Sequence, residues 1–303
     1  MLRLDGVSKT YKVGALARKD LHAVRDVSFE LRPGEVVSLI GESGSGKSTI
    51  GRMILRLTRA TSGTITFDGT DIATLRRGSL KEYYRAAQGV FQDPFSTFNP
   101  VFKADRVLTM IRQVYFPGTG DVEWRGRVDD ALSAVSLNPD QVLDKYPHQL
   151  SGGQLQRLLI ARALLLDIRL LVADEVISML DASTRIDVLN LLADLKERGL
   201  AVLFITHDLS LGNYLADRTV ILRRGSVVEC GATSAVFGDP VHPYTRTLLA
   251  SVPRLGIRWS DEDLDPGPCR YHAVHPGGGP PLAEVGDDHL VACFAGNDER
   301  ECV

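Results

Sequence analysis

Directly after the apolar run Val36-Val37-Ser38-Leu39-Ile40, the chain reads Gly41-Glu42-Ser43-Gly44-Ser45-Gly46-Lys47-Ser48-Thr49. This run fits the spacing G-x-x-x-x-G-K-[ST] of a phosphate-binding loop placed between a strand and a helix. Glycines allow the backbone to curl so that successive N–H groups point at phosphate oxygens, and the helix that follows adds its positive end. The residues expected to contact a nucleotide here are Gly41, Ser43, Gly44, Gly46, Lys47, Ser48 and Thr49.

Two side chains of this loop have specific expected roles. Lys47 should reach the β- and γ-phosphates, and the Ser48 hydroxyl should coordinate Mg²⁺.

An acidic motif further along the chain supports the same chemistry, since the apolar strand Leu170–Ala173 ends in Asp174 and Glu175. Carboxylates at a buried strand end are costly without a cation or proton to bind. We therefore expect Asp174 to hold Mg²⁺ and Glu175 to accept a proton from the attacking water.

The pattern around these motifs predicts an α/β fold. Strands are predicted at residues 2–7, 23–31, 35–40, 64–67, 89–91, 170–173 and 201–205. Helical patterns begin at about Lys47, fill most of 101–166 and recur at 183–198, where Ile186, Leu189, Leu192 and Leu195 should form the apolar face. Alternating strands and helices favour a mostly parallel sheet with helices on both faces. We expect an antiparallel N-terminal β part and an inserted helical subdomain at about 101–166.

Composition limits the possible functions. The 303 residues are 44% hydrophobic and 24% charged, and the formal net charge of −3 gives no bulk attraction to nucleic acid. The apolar stretch 155–176 is broken by charged residues, so we expect no membrane span, and the first residues lack a signal-peptide core. These features predict a cytoplasmic protein. In that compartment Cys230, Cys269, Cys293 and Cys302 are expected as free thiols or metal ligands rather than disulfides.

A third motif, Leu150-Ser151-Gly152-Gly153-Gln154, lies between the phosphate loop and the acidic strand. It resembles the signature motif of the ABC transporter ATPases, and its small residues open a helix that offers a second anion site. The resemblance implies that two cassettes pack head to tail, with each signature (Ser151, Gly152, Gly153 and Gln154) facing the partner's phosphate loop. ATP and Mg²⁺ are the implied cofactors.

Other family motifs match by position. Phe91-Gln92-Asp93-Pro94 looks like the Q-loop, which implies that Gln92 touches Mg²⁺ or the lytic water. Ser178-Met179-Leu180-Asp181 resembles the D-loop, whose Asp181 lies at the dimer interface. His207 looks like the switch histidine that contacts the γ-phosphate, and Tyr11 stands where the family stacks an aromatic ring on adenine. Val176 departs from the family, which usually has proline after the glutamate.

A narrower resemblance is to the oligopeptide and dipeptide importer ATPases. The runs that carry it are Phe91 to Pro100, His242-Pro243-Tyr244-Thr245-Arg246, Pro280 to Val285 and His289 to Cys293. After Pro253 the composition becomes linker-like, rich in Pro and Gly, which places a boundary near residue 253 between a cassette at 1–252 and an extension at 253–303. The resemblance implies a second and non-identical ATPase subunit, two transmembrane permease subunits and, indirectly, an extracytoplasmic substrate-binding protein. The implied location is the cytoplasmic face of the membrane. Nickel, glutathione and some sugar importers share this branch, so the cargo stays open.

The resemblance to that branch implies a cysteine cluster in the tail, which in some members can hold an iron–sulfur centre. The C-terminal cysteines of this chain keep only part of that cluster. Cys269 and Cys293 match it, but His275 stands where a cysteine is expected and Cys302 lies beyond it. One possibility is a zinc site of Cys269, His275 and Cys293. The other is a metal-free tail that packs on the cassette or its partner through Tyr271, Leu282, Val285 and Leu290.

Two further classes of function stay open at this point. The first is a soluble ABC ATPase that acts on DNA or ribosomes, but this chain has neither a long coiled-coil insertion nor a second cassette. The second is an ATP-binding regulator without turnover, which the presence of Glu175 and His207 disfavours.

Overall fold

The computed structural model describes residues 1–13, 19–251, 281–286 and 288–293. Their strands are β1 (Leu2–Val13), β2 (Lys19–Leu31), β3 (Val36–Ile40), β4 (Ser62–Phe67), β5 (Thr70–Asp71), β6 (Ala87–Val90), β7 (Leu170–Asp174), β8 (Ala201–Thr206), β9 (Arg218–Arg223), β10 (Ser226–Ala232), β11 (Leu282–Gly286) and β12 (His289–Ala292). Their α-helices are α1 (Lys47–Ile54), α2 (Arg77–Ala86), α3 (Pro94–Thr97), α4 (Arg106–Tyr115), α5 (Asp121–Ala134), α6 (Pro139–Val142), α7 (Gly152–Leu164), α8 (Ala182–Glu197), α9 (Leu209–Leu215), α10 (Thr233–Gly238) and α11 (Pro243–Ala250).

The chain divides into two compact units. The first consists of Met1–Leu75 and Leu203–Val303, and the second of Arg76–Val202. The smaller sheet of the first unit has the strand order β2-β1-β4-β5. Its β1–β2, β1–β4 and β4–β5 pairs are antiparallel. The predicted antiparallel N-terminal part is confirmed. Its first two strands are longer than predicted because their pairing continues beyond several register shifts to Val13 and Lys19.

The larger sheet of the first unit contains the order β11-β12-β10-β9-β3. β3 pairs with β9 in parallel, whereas β9, β10, β12 and β11 pair in antiparallel fashion. Every residue of β3 is buried, as its continuous apolar run predicts. Helix α9 packs directly on β3, since a Cβ added to Gly212 would lie 2.5 Å from Cδ1 of Ile40. This packing fixes the strand that leads into the phosphate loop.

The second unit carries helices α2 to α8 and the parallel pair β6–β7. Helices α4 to α7 occupy the predicted helical stretch, and a loop at 116–120 separates α4 from α5. The predicted helix at 183–198 is α8, but one residue of its apolar face is wrong. Ile186 is 46% exposed, while Leu189, Leu192 and Leu195 are buried. Because a helix turns 100° per residue, the buried stripe is completed by Val188 instead.

The described part of the extension consists of β11 and β12, which join the larger sheet through β10. Leu282 packs against the buried cluster that includes Ile40, Tyr244 and Ala292, whereas Val285 is half exposed. The described residues do not include Tyr271, the expected boundary near residue 253 or most of the Pro- and Gly-rich stretch that follows it. Across the described ranges, no helix has the length and apolar character needed to cross a bilayer.

Candidate functional site

The predicted site residues are divided between the two units. The first unit contains Tyr11, the loop 41–49 and His207, and the second contains Gln92, the signature 151–154, Asp174, Glu175 and Asp181.

The phosphate loop has the backbone that its glycines predict. Gly44 and Gly46 have φ angles of 81° and 105°, in the left-handed region that favours glycine. A Cβ at Gly46 would also lie only 2.3 Å from the Ala23 carbonyl oxygen. Gly46 precedes the first residue of α1 without a side-chain cap, and this helix has no acidic residue in its first turn. The loop therefore presents the positive end of a helix to an anion.

Lys47 lies inside this loop and is 5% exposed. Its Nζ donates hydrogen bonds to the carbonyl oxygens of Gly41, at 2.7 Å, and Glu42, at 2.8 Å. The loop is closed on itself by the Ser45 N–H, which donates to the Glu42 oxygen at 3.1 Å. The ammonium group is thus held at the centre of the curled backbone, where a phosphate group would meet it. Ser48 and Thr49 follow in the first turn of α1, both half-buried.

The acidic pair ends β7 in the second unit. Asp174 is 6% exposed at the end of a fully buried strand. Glu175 has a φ of 50°, so its backbone leaves the strand direction in a conformation that is unfavourable for a glutamate. The turn that follows is closed by the Ser178 N–H and hydroxyl, which both donate to the Glu175 carbonyl oxygen, at 3.1 and 2.9 Å. Val176, which replaces the family's proline, is buried and leaves this turn intact.

The signature motif opens α7 with a reciprocal cap. The Ser151 Oγ accepts from the Gln154 N–H at 3.2 Å, and the Gln154 Oε1 accepts from the Ser151 N–H at 2.9 Å. An accepting serine hydroxyl still has its own hydrogen to donate to an anion. Gly153 allows α7 to approach α8 closely, because an added Cβ would lie 2.6 Å from Cγ2 of Thr184. A surface cavity of about 340 Å³ opens here, lined in part by Ser151, Gly153 and Gln154.

Asp181, in the predicted D-loop, caps α8. Its carboxylate accepts from the Thr184 N–H at 3.0 Å and from the hydroxyls of Ser183 and Thr184, at 2.6 and 2.9 Å. These hydrogen bonds hold the pKa of Asp181 far below its usual value, and the one from Ser183 has the largest effect. Because Gly153 contacts Thr184, the signature and the D-loop share one local framework in this unit.

The remaining predicted residues lie on exposed loops or edges. Gln92 is exposed directly before α3, whose first turn is capped by Asp93. His207 is exposed after β8, where Asp208 caps α9 through the Ser210 N–H at 2.9 Å. Tyr11 is half-buried on β1, with the Lys9 ammonium group 4.9 Å from its ring centroid. Sequence reasoning assigned Tyr244 no individual role, although its hydroxyl accepts a hydrogen bond from the Glu42 N–H of the phosphate loop.

The cysteines differ in state. Cys230 is a buried free thiol, as expected, and burial raises its pKa to about 11. Cys293 is disulfide-bonded, which corrects the expectation of a free thiol or metal ligand. A disulfide sulfur is not a thiolate, so this arrangement does not supply the Cys293 ligand of a zinc site. Cys269, His275 and Cys302 lie outside the described residues.

Comparison with known families agrees with these motifs. Residues 24–178 match the family described as ABC transporter, and residues 228–277 match the C-terminal region of oligopeptide/dipeptide transporters. A Brucella ovis protein whose assigned role is that of a peptide import ATP-binding protein is 43% identical over 254 residues, 84% of this chain and 78% of that protein. The glutathione import ATP-binding protein GsiA of Salmonella typhimurium is 44% identical over 236 residues, 78% of this chain but only 38% of GsiA.

Solved structures show the same fold. The ATP-binding cassette MJ0796, described as a dimer in a post-hydrolysis state bound to ADP and Pi, is 31% identical with a TM-score of 0.69, over 77% of this chain and 99% of that one. CbiO1 of Clostridium perfringens is 26% identical with a TM-score of 0.67, over 78% and 90%. The chain therefore belongs to the ABC transporter family. It is an ATP-binding cassette of that family, and it also carries the C-terminal region of the oligopeptide/dipeptide transporters.

Proposed function

We propose that this chain is the ATP-hydrolysing subunit of an importer for oligopeptides or dipeptides, held at the cytoplasmic face of the membrane by permease subunits. The observation that carries the proposal is the glycine-built loop closed around the Lys47 ammonium group, in a chain whose residues 228–277 match the peptide-transporter region. The relative assigned to peptide import, at 43% identity, supports the same cargo.

In this proposal the loop N–H groups and Lys47 bind the phosphates of ATP. Ser48, Asp174 and Gln92 supply hydroxyl, carboxylate and amide oxygens, which are the donors that Mg²⁺ prefers. When bound, the ion neutralises charge on the β- and γ-phosphates. Glu175 accepts the proton of the attacking water as a general base.

The active form is a head-to-tail dimer of cassettes. Ser151 and its helix N-terminus bind the nucleotide held by the partner's phosphate loop, and Asp181 lies at the interface. His207 contacts the γ-phosphate, and Tyr11 stacks on adenine. The dimeric form described for MJ0796 supports this arrangement. We propose further that the partner is a related but non-identical ATPase, that two membrane subunits complete the transporter, and that a substrate-binding protein delivers the cargo.

Glutathione, itself a small peptide, is the second candidate cargo, because GsiA is 44% identical over the matched residues. Nickel or another small solute is a weaker alternative within the same branch. The net charge of −3 gives no support to a nucleic-acid partner.

The test is co-purification followed by reconstitution. Intact-complex mass analysis of the tagged chain should find one copy each of this chain and a second cassette, with two membrane subunits. In proteoliposomes with the binding protein, di- to pentapeptides should stimulate Mg²⁺-dependent ATP hydrolysis more than glutathione or Ni²⁺ does. Two copies of this chain without a second cassette would contradict the heterodimer, and stimulation by Ni²⁺ alone would contradict the peptide cargo.

A further inference from the structure

A row of hydrogen bonds, buried beyond its first member, connects the phosphate loop to the C-terminal hairpin β11–β12 within the first unit. The Glu42 N–H donates to the Tyr244 hydroxyl oxygen at 3.3 Å, and the Tyr244 N–H donates to Nδ1 of His242 at 3.0 Å. The His242 N–H donates to Oε2 of Glu229 at 3.1 Å. The other oxygen of Glu229 lies 2.8 Å from Nε2 of His289, on β12.

The four side chains in this row are withdrawn from water. Glu229 is 0% exposed, and His242, Tyr244 and His289 are 4%, 6% and 7% exposed. Each oxygen of Glu229 accepts a backbone N–H, Oε2 from His242 and Oε1 from Val241 at 2.9 Å, and Oε1 also faces the His289 ring. Buried hydrogen bonds meet little competition from water, and the loss of one partner leaves the next group unsatisfied.

Tyr244 itself is fixed by its packing. Its ring belongs to the cluster of Ile40, Leu209, Val236 and Ala292, and the Arg223 guanidinium lies 5.0 Å from the ring centroid. Burial raises the pKa of Tyr244, which keeps the hydroxyl protonated at neutral pH. The hydroxyl therefore has a defined position relative to the end of β3, where the loop begins.

The Tyr244 hydroxyl contacts the same peptide group that accepts a hydrogen bond from the loop lysine. The N–H of the Gly41–Glu42 peptide donates to Tyr244, and its carbonyl oxygen accepts from Lys47 at 2.7 Å. We propose that Tyr244 is a positioning residue: its hydroxyl sets the orientation of this peptide and of the Lys47 ammonium group, so that the C-terminal region tunes the affinity of the loop for nucleotide. This inference rests on the proposed function, since it needs ATP to bind at the loop.

Tyr244→Phe in the full chain removes the hydroxyl and keeps the ring. We expect the Kd for ATP, measured by calorimetry in EDTA, to rise about 3- to 10-fold, the usual worth of one hydrogen bond. The melting temperature and kcat at saturating ATP should change little, whereas a merely structural role would lower the melting temperature and leave Kd unchanged. The matched control is Thr245→Val on the same helix. Thr245 is fully buried and its hydroxyl has no hydrogen-bond partner among the described residues. The Kd of the Thr245→Val variant for ATP should therefore equal that of the wild type.

The connection to the hairpin is tested by a double-mutant cycle. His289→Leu should raise the Kd for ATP about 2- to 3-fold in the wild-type background and have no effect when Tyr244 is already Phe. A wild-type Kd in Tyr244→Phe, with the wild type binding ATP normally, overturns this inference and leaves the proposed function standing. Equal effects of His289→Leu in both backgrounds overturn the link to the hairpin. A wild-type chain that does not bind ATP overturns the proposed function itself.

Discussion

The Lys47 ammonium group lies 2.7 Å from the carbonyl oxygen of Gly41, six residues earlier on the same loop. Lys47→Ala removes this contact and the one to the Glu42 oxygen, so it takes away both the phosphate-binding charge and part of the loop's closure. We expect ATP binding to weaken about tenfold or more, since hydrogen bonds to charged groups are worth about 1.5–3 kcal/mol. Calorimetry with ATP measures this, and Lys145→Ala, at an exposed position, is the control. Unchanged affinity in Lys47→Ala would remove the lysine from the site.

Glu175→Gln should retain ATP binding but lower turnover about 10²-fold or more, because an amide cannot accept the proton of the attacking water. It should also trap an ATP-bound dimer, visible by size-exclusion chromatography with ATP. Glu197→Gln makes the same chemical change at the exposed end of α8 and should hydrolyse ATP at the wild-type rate. Full turnover in Glu175→Gln would exclude its role as general base.

Gly46→Ala should destabilise the first unit by about 2 kcal/mol or more. Its φ of 105° is unfavourable for alanine, and the new Cβ would lie 2.3 Å from the Ala23 oxygen. Gly78→Ala is the contrasting control, since Gly78 lies in α2 with nothing within 4 Å of an added Cβ. That change should stabilise by about 0.5–1 kcal/mol. Denaturant unfolding compares the two, and similar midpoints would show that the loop tolerates a side chain.

The Cys230 thiol should resist alkylation in the native protein at pH 8.5. Burial raises its pKa from 9.0 to about 11. Because the unfolded chain loses this proton first, the thiol's contribution to stability is complete below about pH 9 and is lost as the pH rises towards 11. Peptide mass analysis after iodoacetamide treatment, with and without denaturant, provides the test. In Cys230→Ala the fall in stability between pH 9 and 11 should be smaller, and equal falls would contradict the assignment.

The purified protein should be colourless and free of stoichiometric iron, because an iron–sulfur cluster needs thiolates at its corners and this tail departs from the cysteine pattern. Cys269→Ser should leave ATP turnover nearly unchanged. Elemental analysis of anaerobically purified protein decides the first point, and about four irons per chain would contradict it.

The sequence predicted those parts of the fold and site that are encoded by neighbours in the chain. The loop 41–49 and the helix start at Ser151 are local patterns, because glycine conformations and a cap three residues long need no distant partner. The pairing of β10 with β12 joins residues about 60 positions apart, and the Tyr244 contact to Glu42 spans 202 positions. Such contacts depend on which surfaces meet in the folded chain. The exposure of Ile186 has the same cause, since periodicity alone does not fix which flank of a helix is covered.

The hairpin β11–β12 also protects a strand edge. β10 is buried along almost its whole length, and β12 pairs with it at Glu229 and Cys230. Without the hairpin this part of β10 would be an exposed strand edge, the kind of template on which another chain adds a strand and aggregation begins. β11 is a safer edge, because it is only five residues long and carries the exposed, charged Glu284. A version of this protein that stops before residue 281 should therefore self-associate through β10, although it keeps every residue of the phosphate loop, and size-exclusion chromatography would show the larger species.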